Sequence, residues 1–197
     1  FVDEFQDVNP LQFALLQAWL GPASSLTVVG DPCQAIYSWN GADSKFLNDF
    51  EKYFPDSQTI ILKDNFRSSP EILALSSSIL PTMERLNPKM QSGRLPTIRA
   101  ELNEYEEARS VASLIKELTI GNIMLGDQAV LVRTHAQIQP IAEIFEEQEI
   151  KFRVASSNEP EVGSGSDDEV QILTLHAAKG LEWKIVHLCG VEEGFHP

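Results

Sequence analysis

Short apolar runs alternate with longer amphipathic stretches along this chain. Runs of strand length fall at Leu26–Val29, Thr59–Leu62, Ala129–Val132, Val170–Leu175 and Ile185–Leu188. Between Glu104 and Thr119, the residues Ala108, Val111, Ala112, Ile115 and Leu118 recur at helical spacing and predict one apolar face. Between Ala136 and Gln148, Ile138, Ile141, Ala142 and Phe145 predict another, with Glu143, Glu146 and Glu147 on the solvated side. Short apolar strands separated by amphipathic helices predict βαβ units, hence an α/β fold with a mostly parallel sheet and helices on both faces.

Two breaks interrupt the pattern. A polar turn at Pro55-Asp56 is expected to divide residues 1–55 from residues 56–197. The stretch 156–169, SSNEPEVGSGSDDE, has no apolar periodicity and is expected to be a flexible linker. Its run Gly163-Ser164-Gly165-Ser166 is read two ways, as a splice or as a natural surface loop. The opening FVDEFQD reads as the end of a strand whose beginning is not in the sequence, and the closing GFHP follows another strand-like run. The chain is therefore expected to be a piece of a longer protein.

With 15 Lys+Arg against 29 Asp+Glu, the net charge is −14, so nucleic acid cannot be held by bulk charge and any such contact must be local. A hydrophobic share of 43% suffices for a packed core. Cys33 and Cys189 form no CxxC pair, which argues against a zinc site or a disulfide scaffold. No run approaches membrane-spanning length, and a soluble cytoplasmic location is expected.

Candidate chemistry concentrates near the start. Asp3 and Glu4 lie where a buried strand ends, the place at which an α/β nucleotide hydrolase holds Mg2+ and orients the attacking water. Adjacent carboxylates at a strand end are also commonly just solvated. In LTVVGDPCQAIYSWNGAD, a strand ends at Gly30-Asp31 and a turn opens a short helix at Pro32. Gln34 follows, an amide suited to sensing a phosphate. Tyr37 and Trp39 are large aromatics in a polar loop, suited either to stacking on nucleic-acid bases or to anchoring a core.

These segments together resemble motifs II and III of the UvrD/Rep/PcrA group of superfamily 1 DNA helicases. LKDNFRSSPEIL (62–73) is similar to their motif IV, VLVRTHAQ (130–137) to the following segment of the second motor domain, and VQILTLHAAKGLEWKIVHLCGVEEGFHP (170–197) to motif V and its extension. The resemblance implies a RecA-like fold: the tail of motor domain 1A over residues 1–55 and domain 2A over residues 56–197, with the linker 156–169 where the 2B insertion would stand. It implies that Asp3 holds the metal and Glu4 activates water, and that Gln34 senses the γ-phosphate. Arg67 would reach the γ-phosphate, Phe66 would stack on adenine, and Glu182 would hydrogen-bond the ribose. Tyr37 and Trp39 would stack on single-stranded DNA, and Asn40, His135, His176 and Lys179 would line the DNA path. Phe66 replaces the usual Tyr, Asn40 the usual Arg, His135 the usual Asn, and Cys33 a frequent Asp. The first keeps stacking without a hydroxyl; the second removes a cationic contact.

No GxxxxGK[ST] occurs, and motif VI is absent too. The resemblance thus implies half of an ATP site, with ATP and Mg2+ as cofactors of the parent and single-stranded DNA as its partner. The expected parent is an ATP-dependent, 3′→5′ helicase or translocase of DNA repair or replication, and the chain alone is expected not to hydrolyse ATP. Two other readings stand beside it. One is the motor of a RecB- or AddA-like helicase–nuclease. The other, supported by Asn40 and His135, is a catalytically inert DNA- or protein-binding module.

Overall fold

A computed structural model describes residues 1–21, 25–80, 85–155 and 168–192. Most of the expected linker, and the closing GFHP, lie outside the described residues. Two compact units emerge, Phe1–Thr97 and Ile98–Pro197.

In the first unit, the Leu26–Val29 run makes a single parallel bridge, Val2 to Val28, with Val2 N–H donating to Thr27 O and Val29 N–H to Val2 O, each at 2.9 Å. Helix α1, Pro10–Trp19, starts on a capping box: Asn9 accepts from the Gln12 amide while the Gln12 side chain accepts from the Asn9 amide. Two one-turn helices follow, α2 (Lys45–Asn48) and α3 (Phe50–Tyr53). Aromatic rings hold these pieces together. Phe5, Phe13 and Phe46 are buried. Phe13 stacks on Phe46 at 4.3 Å, and Phe5 meets Phe50 edge-on at 5.7 Å.

Farther along, strand β1 (Asp64–Asn65), helix α4 (Pro70–Ile79) and strand β2 (Asn87–Pro88) form a small motif in which β1 and β2 pair in parallel. Glu71, in the first turn of α4, accepts from the Gly93 amide at 2.9 Å and from the Ser92 hydroxyl. The Ser92 bond, then the Gly93 bond, hold its carboxyl down at about 2. The run Thr59–Leu62, expected as a strand, forms none: Ile60 and Leu62 are 75% and 79% exposed. An apolar run signals a wish for burial, but only a paired backbone makes a strand.

The second unit is the α/β body. Helix α5, Glu104–Ile120, is capped by Asn103, whose side chain accepts from the amides of Tyr105 and Glu106. Glu104, Glu106 and Glu107 in its first turn suit the positive end of the helix dipole. Strand β3 (Gln128–Val132) leads through a single 3-10 turn into helix α6 (Ile138–Glu147), and strands β4 (Phe152–Val154), β5 (Val170–Thr174) and β6 (Ile185–Leu188) follow. The four strands pair in parallel in the order β4-β5-β3-β6.

Every residue of β3 and β5 is buried. Alternation sorts their side chains. Val130, Val132, Val170 and Ile172 face the apolar sides of α5 and α6, including Val111, Ile115, Ile141 and Phe145. Ala129, Leu131 and Leu173 face the other way, where Leu175, Ala177, Leu181 and Trp183 cover them. Each buried aliphatic or aromatic side chain contributes roughly 1.5–3 kcal/mol. The α/β class and the parallel sheet are as the pattern predicts.

Candidate functional site

In an open parallel sheet, ligands approach the carboxyl ends of the strands. In the second unit, three loops leave that edge. After β3 come Arg133, Thr134 and His135; Gln137 Oε1 accepts from the amides of Arg133 and Thr134 at 3.0 and 2.9 Å, fixing the turn that presents an exposed His135. After β5 the chain turns at once. Ala178 N–H donates to Thr174 O at 3.0 Å, the Thr174 hydroxyl accepts from the Ala177 amide, and Gly180 takes φ +83°. That turn carries His176 and Lys179, both half-buried, while Ala177, Ala178 and Trp183 pack it onto the sheet. Glu182 follows, exposed. After β6, the Gly190 amide donates to both carboxylate oxygens of Glu107, at 3.0 and 3.2 Å. Burial, and then the Glu107 charge, push the neighbouring Cys189 thiol up to about 12.

The first unit carries the other candidates. Asp3 and Glu4 follow directly on the Val2 bridge and are exposed. Asp3 Oδ1 accepts from the Glu4 amide at 2.8 Å. Glu4 takes the left-handed conformation, φ 51° and ψ 41°, which is unusual for a residue with a Cβ. Its Oε2 accepts from Gln6 Nε2 at 2.6 Å, and Gln6 Oε1 in turn accepts from the Asp31 amide at 3.1 Å. Asp31 caps the one-turn helix Pro32–Gln34: Oδ1 takes the Cys33 amide and Oδ2 takes Gln34 Nε2, both at 2.9 Å. Glu4 and Gln34, 30 positions apart in sequence, are thus joined through two polar side chains.

Tyr37 and Trp39 meet edge-on at 6.3 Å outside the aromatic core; Trp39 is 72% exposed, and Asn40 is exposed beside it. Phe66 and Arg67 lie on the turn after β1, where Asn65 Oδ1 accepts from the amides of Arg67 and Ser68 at 3.1 and 2.8 Å. Phe66 is 71% exposed.

Mg2+ keeps several waters and takes one or two protein carboxylates together with substrate phosphates. The exposed Asp3–Glu4 pair fits that requirement. Among the described residues, no group of three or more potential ligands gathers for a fully protein-held metal, and no helix is long and apolar enough to cross a membrane.

Asp3, Glu4 and Gln34 stand out in the sequence by chemical type; Gln6, Asn65 and Gln137, which act as positioning groups, do not. An uncharged amide beside two carboxylates carries no local signal; its role appears only once Gly30 and Asp31 fold back upon it.

The family model described as the UvrD/REP helicase N-terminal domain matches residues 1–55, and the one described as the UvrD-like helicase C-terminal domain matches residues 60–159 and 155–197. The ATP-dependent DNA helicase UvrD2 of Mycobacterium tuberculosis is 35% identical over 161 residues, covering 78% of this chain and 23% of that protein. The ATP-dependent DNA helicase UvrD1 of the same species is 34% identical over 166 residues, covering 78% and 22%. DNA helicase II of Escherichia coli is 32% identical over 158 residues, again covering 78% and 22%. The chain thus spans less than a quarter of the length of these relatives.

Proposed function

The chain belongs to the UvrD-like helicase family, and from that premise we propose that it is part of an ATP-dependent DNA helicase or translocase that moves on single-stranded DNA. The observation that carries the proposal is the hydrogen-bonded path from Glu4 to Gln34, because a motor needs its hydrolytic carboxylate to communicate with a phosphate-sensing group. We place residues 1–55 in motor domain 1A and residues 56–197 in motor domain 2A. The direction is 3′→5′, and the setting is DNA repair or replication in the cytoplasm.

The chain's own groups divide the work. Asp3 would hold Mg2+, and the ion would supply charge neutralisation at the phosphates when bound. Glu4, held in a left-handed backbone conformation, accepts a proton from the attacking water. Gln34 contacts the terminal phosphate. Arg67, on a turn pinned by Asn65, places a fixed charge where negative charge develops in the transition state. Phe66 stacks on the base and Glu182 takes the ribose hydroxyl. Tyr37 and Trp39 stack on bases of the single strand; Asn40 in the first unit, and His135, His176 and Lys179 in the second, serve as further DNA contacts.

Steady-state ATP hydrolysis by the longer protein, with and without single-stranded DNA, tests this reading. DNA-stimulated turnover is expected from the longer protein and none from this chain alone, which has no GxxxxGK[ST]. DNA binding without turnover in the longer protein would favour the inert module, and a nuclease activity accompanying turnover the RecB- or AddA-like motor.

A further inference from the structure

The Gln6 side chain is 1% exposed, so both ends of its amide need partners inside the protein. The oxygen meets the N–H of Asp31 at 3.1 Å and the nitrogen meets the Glu4 carboxylate at 2.6 Å. Only one orientation of the amide satisfies both, since a reversed amide would set nitrogen against N–H and oxygen against carboxylate. The site is built to admit it. A Cβ at Gly30 would lie 2.5 Å from Gln6 Oε1 and 3.1 Å from the Phe5 amide nitrogen, so a residue other than glycine would push the amide away. Phe5 N–H donates to Val29 O at 2.9 Å, which fixes the backbone on either side of this contact.

Beyond Gln6 the path continues through one residue. The Asp31 amide is held by Gln6, while its carboxylate caps the turn Pro32–Gln34 and grips the Gln34 side chain. A shift of Gln34 therefore pulls on Asp31, and a shift of Asp31 moves the partner of Gln6. Gln6 in turn holds Glu4 by a hydrogen bond to a charged oxygen, the stronger kind.

We propose that Gln6, with Asp31, is a positioning strut that makes the orientation of the Glu4 carboxylate depend on the position of Gln34. The strut couples DNA engagement to ATP hydrolysis, and this inference rests on the helicase reading above. Gln6 is buried and both ends of its amide are taken by Glu4 and Asp31, so it acts through Glu4.

Two variants of the longer protein test it, with turnover measured with and without single-stranded DNA and nucleotide affinity measured separately by equilibrium binding. Gln6→Leu removes both bonds and keeps the bulk. It should lower the ratio of DNA-stimulated to DNA-free turnover by about tenfold or more, the loss expected for one hydrogen bond to a charged group. Nucleotide affinity should stay within about twofold, because the strut makes no ground-state contact with the ligand. Gln6→Glu is isosteric but replaces the amide donor that faces Glu4 by an oxygen. It should lose DNA stimulation as Gln6→Leu does, at near-constant side-chain volume.

Wild-type stimulation in both variants overturns the strut. So does an equal loss of DNA-free and DNA-stimulated turnover, which would make Gln6 a support for Glu4 alone. A wild-type protein that hydrolyses ATP without responding to DNA overturns the helicase reading instead, and the strut with it.

Discussion

The two compact units solve the same problem by different means. The described residues of the second unit are ordered by a parallel sheet whose two central strands are buried along their whole length, and their loops hang from that frame. The described residues of the first unit hold one isolated bridge, one two-stranded pairing and short helices, and stacked phenylalanines gather the part up to Phe54. Yet the proposed hydrolytic groups, Asp3, Glu4, Gln34 and Arg67, all lie in the second kind of structure. There, side chains fix the backbone: Gln6 and Asp31 link Glu4 to Gln34, Asp3 accepts from the Glu4 amide, and Asn65 holds the turn that carries Arg67. A sheet places a loop, whereas a side-chain network can also transmit a displacement.

The sharpest way to break this comparison is to remove one large ring from each core. Phe145 is fully buried and meets Phe152 at 5.8 Å; Phe13 is 5% exposed and stacks on Phe46. Either truncation to alanine should cost about 3–5 kcal/mol. Followed by amide exchange, Phe145→Ala should release the amides of β3 and β5, and Phe13→Ala those of Phe5 and Asp31. If either variant released both sets together, the two units would not be separate cores.

A smaller effect belongs to the sheet alone. His187 on β6 is half-buried, with its Nε2 3.4 Å from Gln128 Oε1, and burial lowers its pKa to about 4 from the usual 6.5. The unfolded chain therefore takes up a proton before the folded one does. The stabilisation is fully present above about pH 6.5 and is lost as pH falls towards 4; allowing for partial solvent access it amounts to about 2 kcal/mol. Thermal melts of the chain across that range should show this loss, and His187→Gln should flatten the part due to this residue. An unchanged profile in the variant would show that the ring carries no such penalty.

How much could be read from the sequence follows the same division. Helices α5 and α6 and strands β3, β5 and β6 lie within a residue or two of the predicted spans. Their burial imposes a strict period, and the period is visible in one dimension. The first unit was less legible. Leu26–Val29 contributes one bridge, and Thr59–Leu62 is apolar but exposed, because pairing is a property of neighbours rather than of the run. Helix α1 carried a readable signal in Asn9, Pro10 and Gln12, but its apolar residues face several directions, so periodicity did not mark it. At the site, the carboxylates and aromatics stand out by chemical type. Gln6 does not, since its importance comes from burial and from a partner 25 positions away.

If this chain supplies working parts of an ATP site, Arg67 is the residue whose loss shows it most directly. In the longer protein, turnover at saturating ATP and DNA is measured for Arg67→Ala beside nucleotide affinity at equilibrium. A charge that acts chiefly in the transition state should, when removed, lower kcat by about a hundredfold or more and change ATP affinity by less than about tenfold. An unchanged kcat would contradict the assignment.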